Sequence, residues 1–223
     1  MRGPRTLALA SALVLGAGFA LVFFYAPLER EGFIQKIFYL HVPLAIVALA
    51  GFVVAAIHAI RHLRSGDPVH DARAYVSIHM SVIFGVAVLI TGAIWARAQW
   101  GVWWEWREPT LVSFLIVFLL YCTYYPLRYA IDDRERQARY ASVFAITAGA
   151  FVPLNFLAVR LAEPLIHPRT FSSAGGLPGE MMFTFLVCLA GMALVWGALV
   201  ALELAAKRTR ADLGRLRRAL VEA

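Results

Sequence analysis

Charge is what this chain of 223 residues has least of: Asp, Glu, Lys and Arg together make up 16% of it. Soluble domains carry about a quarter, so there is too little charge to clothe a water-facing surface, which argues against a compact soluble enzyme. Lysine is scarcer still. Lys36 and Lys207 stand alone among 21 basic residues, and the rest are arginine. There are two cysteines, Cys122 and Cys188, each inside an apolar block and far apart. No CxxC, CxxCH or zinc spacing occurs, which excludes covalent haem attachment by that route and leaves two small buried hydrophobes. A phosphate-binding loop and a nucleophile–base arrangement are also missing, so the chain is not expected to hydrolyse ATP. With no strong internal repeat and no low-complexity linker, residues 1–223 read as one domain.

What is present is hydrophobic: 61% of residues, with a mean hydropathy of +0.70. Disorder needs the opposite composition. The apolar residues fall into six blocks, at about 7–26, 42–60, 75–95, 110–130, 140–161 and 180–206. Each is near the ~20 residues that cross a bilayer as a helix. Lipid offers backbone groups no partners, so each block should be α-helical. The expectation is an all-α polytopic membrane protein with six transmembrane helices. The first block follows Arg2 and Arg5 and resembles a signal peptide. It is longer than the usual apolar core of one and ends in no small-x-small site, so it reads as an uncleaved first span.

An even number of spans places both termini on one side. Counted by side, fifteen of the 21 basic residues fall with the termini and six fall opposite. The positive-inside rule then puts both termini in the cytoplasm and three loops outside, in the periplasm of a bacterium. The net charge of +7 thus has a topological cause and needs no nucleic acid. After Ala205 the tail is basic, with Leu213, Leu216 and Leu220 at helical spacing. It suits an anionic leaflet, a cytoplasmic partner, or simply a solvated tail that fixes topology.

Of six tryptophans, five (Trp95, Trp100, Trp103, Trp104 and Trp106) lie within residues 95–106, in or beside a third-to-fourth loop at about 95–110. An interfacial belt would scatter Trp over both interfaces. Concentration in one outer loop instead suggests a platform for a large, flat, apolar ligand, with indole N–H groups still needing polar partners. Gly101 permits a turn or close approach there.

The histidines sort by side. His58, His62, His70 and His79 lie toward the inner side, while His41 and His167 share the outer side with the Trp loop. Neutral imidazole is a common haem-iron ligand, and two outer histidines beside an aromatic floor can clamp a haem axially. His58 and His79, on neighbouring spans, are the other possible pair, and would make a b-type electron-transfer cytochrome. A third possibility is a transporter or assembly subunit whose Trp loop docks a protein.

The run Trp100-Gly101-Val102-Trp103-Trp104-Glu105-Trp106 resembles the Trp-rich signature of the "WWD" haem-handling superfamily. Within it, six spans, a short chain, the segment from Ile37 to Pro43 and the run Thr91-Gly92-Ala93-Ile94-Trp95 resemble the haem exporter protein C (CcmC) family of cytochrome c maturation. The resemblance covers essentially the whole chain. It implies non-covalent, b-type haem with His41 and His167 as axial ligands. It also implies that Trp100, Gly101, Trp103, Trp104 and Trp106 cradle the haem between them. The implied partners are ABC-type transporter subunits, a small membrane subunit and a periplasmic haem chaperone, all in or at the bacterial inner membrane. The implied role is haem transfer rather than classical enzyme catalysis.

One departure stands out. The family pattern places Asp directly after the last Trp, and here that residue is Arg107, between Glu105 and Glu108. Glu108 can take over a carboxylate's role in orienting a loop donor or the haem edge, while Arg107 has a fork suited to a haem propionate. Arg97, Arg160 and Arg169 are the other outward arginines available for propionates. Alternatively, all of them simply pair with the outer acids.

Overall fold

The computed structural model describes residues 2–29, 31–161, 166–168 and 176–222. It has six α-helices: α1 (Arg2–Phe24), α2 (Phe38–Ser65), α3 (Pro68–Trp100), α4 (Pro109–Tyr129), α5 (Arg134–Leu161) and α6 (Gly179–Glu222). A 3-10 helix, Gly32–Ile37, leads into α2. Each α-helix contains a stretch long and apolar enough to cross a membrane, and no strand occurs among the described residues. The all-α, six-span expectation holds.

The helices outrun the apolar blocks that announce them. α3 begins at Pro68 rather than near 75, and α5 begins at Arg134 rather than near 140. Hydropathy marks where lipid is crossed, whereas helix ends are set by capping. At the α2–α3 turn, Gly66 adopts φ +69° and returns its N–H to the His62 carbonyl at 2.8 Å. Asp67 then accepts the Val69 N–H at 2.8 Å, with Pro68 as the first helical residue. That is a C-terminal glycine stop followed by an N-terminal cap and proline start. The tail belongs to α6 itself. At ~1.5 Å per residue its 44 residues reach about 66 Å, twice a hydrocarbon core of ~30 Å. Leu213, Leu216 and Leu220 are exposed on this extension.

α2 is the hub, packing against α3, α5 and α6, while α1 lies on α6 and α4 on α5. Without a hydrophobic force between helices in lipid, close packing must hold them, and small residues permit it. A Cβ on Gly191 of α6 would sit 2.9 Å from the Leu15 Cα of α1, and one on Gly18 would meet the Cys188 Sγ at 3.0 Å. Cys188 is thus a buried packing residue, and Cys122, half-buried, is also a free thiol.

Polar side chains in the bundle bring partners with them. Trp196 donates its Nε1–H to Ser81 Oγ at 3.1 Å, and Asn155 donates to Ser113 Oγ at 2.7 Å. Arg128 is buried in the last turn of α4. It is held bidentately by Asp71 of α3 at 2.7 and 2.6 Å and lies over the ring of Tyr75. Lys36 donates to the Val22 and Ala26 carbonyls at the end of α1, so this base closes a helix C-terminus and anchors the 3-10 helix beneath it.

Gly191→Ala should lower the thermal unfolding midpoint of the purified protein, because over-packing a tight contact costs ~1–3 kcal/mol. Gly197→Ala, whose Cβ would meet only Leu7 Cδ2 at 3.8 Å, should leave the midpoint unchanged. Equal midpoints for the two variants would refute the close α1–α6 contact.

Candidate functional site

His41 projects from the first turn of α2, which the 3-10 helix runs straight into. Two residues on, Pro43 has no N–H to give the Tyr39 carbonyl, so the opening turn of α2 is locally loosened. α3 supplies the wall behind the ring. His41 Nδ1 lies 2.9 Å from Thr91 Oγ1, and a Cβ on Gly92 would come within 2.9 Å of His41 Cε1. Only glycine at residue 92 leaves the imidazole its seat.

His167 belongs to the segment between α5 and α6, and a carboxylate at the start of α4 places it. Glu108, with 0% of its surface exposed, caps α4. Its Oε1 accepts the Thr110 N–H at 3.4 Å. Its Oε2 accepts the backbone N–H groups of Ile166 at 2.9 Å and His167 at 3.2 Å. Burial alone would push the Glu108 carboxyl up. The N–H groups of Ile166, His167 and Thr110 outweigh it and hold the carboxyl below the ordinary carboxylate range. For His167, burial pushes the imidazole below the ordinary histidine value, against the pull of the Glu108 charge. It is therefore neutral at pH 7. His167 Nδ1 lies 3.2 Å from the Pro168 carbonyl. A carbonyl only accepts, so Nδ1 carries the proton and Nε2 keeps its lone pair.

Both histidines line one cavity of about 500 Å³, well inside the ~300–1,000 Å³ range of ligand sites. Its walls are mainly apolar and aromatic: Trp95, Trp100 and Trp104 together with Phe38, Leu89 and Phe114. Trp100 packs edge-on to Trp95, with ring centroids 5.0 Å apart, and to His167 at 6.2 Å. Two buried polar atoms in this wall, Trp104 Nε1 and Gln35 Oε1, have no partner among the described residues. Such atoms are costly to leave unmet in an apolar setting.

The Trp cluster is not one floor. Residues 95–100 are the last turns of α3, and the loop proper runs from Gly101, at φ +75°, to Glu108. Trp103 and Trp106 are 60% and 71% exposed and do not line the cavity. Trp103 lies beneath the Arg97 guanidinium, and Trp106 packs against Trp104 with centroids 5.9 Å apart. Arg107 stands outside as well. Its side chain is 79% exposed and paired with Glu105 at 3.1 Å. Arg97 donates to the Gly101 carbonyl, closing the end of α3. Arg169 and the side chain of Arg160 lie outside the described residues.

His58 and His79, the other possible ligand pair, have different partners. His58 Nδ1 is 3.2 Å from His70 Nδ1, while His79 Nδ1 is 3.2 Å from Glu203 Oε1.

Sequence reasoning weighed Glu108 only as a stand-in for the missing Asp, and it gave Thr91, Gly92 and Gln35 no role at the site. Glu108 had a local signal, an acid directly before a proline that opens an apolar run. Thr91 and Gly92 were marked only as part of a family-like run, because their partner is fifty residues away and only helix packing joins them.

Glu108→Ala should strip protection from the Ile166 and His167 amides, speeding their hydrogen exchange at least tenfold while the amides of α2 stay slow. In the unaltered protein, acid should act the same way. The bonds to Glu108 are fully present above the ordinary carboxylate pKa and are lost as pH falls through its lowered value. Unchanged exchange in the variant would dismiss Glu108 as the tether.

The match to known proteins is extensive. The family profile described as Heme exporter protein C matches residues 2–219. A Heme exporter protein C of Paracoccus denitrificans is 31% identical over 193 residues, covering 84% of this chain and 77% of that one. Those of Rhodobacter capsulatus and Escherichia coli are 33% and 30% identical over 147 and 149 residues, each covering 66% of this chain and 60% of the relative. The matches thus span about three-fifths to three-quarters of those relatives' lengths. A match over nearly the whole chain, on a bundle in which His41 and His167 line one aromatic cavity, places this protein in the haem exporter protein C family.

Proposed function

We propose that this chain holds haem at the outer face of a bacterial inner membrane and passes it to a periplasmic haem chaperone during cytochrome c maturation. One observation carries the reading: His41 and His167, distant in sequence, line a single apolar cavity walled by Trp95, Trp100 and Trp104. That is the lining a flat apolar disc with an axially ligated metal requires. The Trp104 Nε1–H, without a partner among the described residues, fits as a donor to a propionate oxygen. With no CxxCH spacing in the chain, the haem is held non-covalently, by two neutral imidazoles and stacking. Haem bound here would supply an iron that takes imidazole nitrogens as ligands. The protein supplies the ligands, the apolar walls, and the exclusion of water that strengthens both. Trp100, Trp104, His41 and His167 are the core of the site, with Gly101 turning the loop over it.

In this reading both termini are cytoplasmic, residues 1–223 form one membrane domain, and the Gly101–Glu108 loop is periplasmic. The excess of arginine toward the termini supports that orientation. The partners are the ABC-type subunits of the export complex, a small membrane subunit, the chaperone and the surrounding lipid. The exposed Trp103 and Trp106 favour a second use of the same loop, as the surface on which the chaperone docks. Exposed aromatic residues are common anchors of protein interfaces.

Spectra of protein purified from haem-replete membranes test the site. His41→Ala and His167→Ala should each lose or alter the Soret band, and His79→Ala should not; the reverse pattern would move the site to the inner leaflet. Trp103→Ala/Trp106→Ala should keep haem and lose chaperone co-purification, whereas Trp100→Ala/Trp104→Ala should lose haem. For orientation, an impermeant maleimide should label Val102→Cys in intact spheroplasts and Ala211→Cys only after permeabilisation. The opposite labelling would invert the topology.

A further inference from the structure

We propose that Thr91 is a positioning residue that fixes His41 as an Nε2 ligand. This deepens the haem reading above and rests on it.

The hydroxyl of Thr91 has one proton. Its oxygen lies 2.7 Å from the Ala87 carbonyl and 3.2 Å from the Val88 carbonyl of its own helix. Both are pure acceptors, so the proton goes back to α3. The hydroxyl oxygen then has only lone pairs left for His41 Nδ1, 2.9 Å away. His41 must be the donor, with its proton on Nδ1 and its lone pair on Nε2. The second histidine reaches the same state by other means, its Nδ1 proton going to the Pro168 carbonyl. Two unrelated acceptors thus leave two Nε2 atoms bare at one cavity.

Thr91 also sets where that lone pair points. The ring is held at Nδ1 by the hydroxyl and at Cε1 by the backbone face of Gly92. Thr91 and Gly92 are consecutive residues of one helix, so the hydrogen bond and the clearance move as a unit. Partners that hold the far nitrogen of a metal-binding imidazole commonly change metal affinity ~10- to 100-fold when removed.

The test uses the full-length protein in detergent, titrated with ferric haem and read by Soret titration and by the low-spin electron paramagnetic resonance signal. Thr91→Val keeps the shape and deletes the acceptor. It should weaken haem affinity about tenfold or more and broaden or shift the low-spin signal, as the His41 ring samples other tautomers and angles. Thr91→Ser, which keeps the hydroxyl, should restore both readouts. Gly92→Ala should disturb the signal without lowering the thermal midpoint, because its Cβ displaces the ring and not the backbone. If Thr91→Val binds haem with unaltered affinity and signal, the proposal is overturned, provided that His41→Ala alters both. If His41→Ala is itself without effect, the fault lies with the haem site and not with Thr91. If Thr91→Ser behaves like Thr91→Val, the effect is one of packing and the assignment also falls.

Discussion

A polar group that enters the hydrocarbon is costly unless it brings its partner with it, and much of this structure follows from that constraint. It forces the backbone into six helices. It binds Arg128 to Asp71 with two hydrogen bonds, ties α3 to α6 through Ser81 and Trp196, and ties α4 to α5 through Ser113 and Asn155. Among the described residues five buried side-chain polar atoms go unmatched, and two of them, Trp104 Nε1 and Gln35 Oε1, belong to residues that line the one cavity holding both His41 and His167.

The two histidines at that cavity are held in different ways. His41 stands on a helix, braced by a hydroxyl and a glycine of the neighbouring helix. His167 stands outside any helix and is held through main-chain amides by a carboxylate that caps α4. The residue that departs from the family pattern, Arg107, is spent locally on Glu105, and the next acid along, Glu108, is turned inward. Of two consecutive loop residues, one side chain thus faces the surface and the next faces the interior. The proline that follows it, by starting a helix there, makes the inward position the capping position.

Much of the architecture was legible in the residues. Apolar length sufficed for the six helices, and the concentration of Trp together with His41 and His167 pointed to residues of which several line one cavity. The boundaries were less legible, because hydropathy reports lipid while capping ends helices. The Asp67-Pro68 and Glu108-Pro109 steps were the signals that mattered. The tryptophans were legible as a group and not individually. Trp100 and Trp104 line the cavity, and Trp103 and Trp106 do not. Their orientations depend on how the chain turns after Gly101 and on the cation and ring each one meets.

By itself, then, the sequence determined that the chain has six helices fit to cross a membrane, where its positive charge concentrates, and which chemical groups fall at the same end of the spans. These are sums over local composition, and a bilayer reads local composition. Only the tertiary structure decided that Thr91 and Gly92 meet His41, that Glu108 reaches Ile166 and His167, and that Arg128 is buried against Asp71. Each of those contacts joins residues about fifty or more positions apart. Their geometry is set by the close approach of whole helices, which no local pattern encodes.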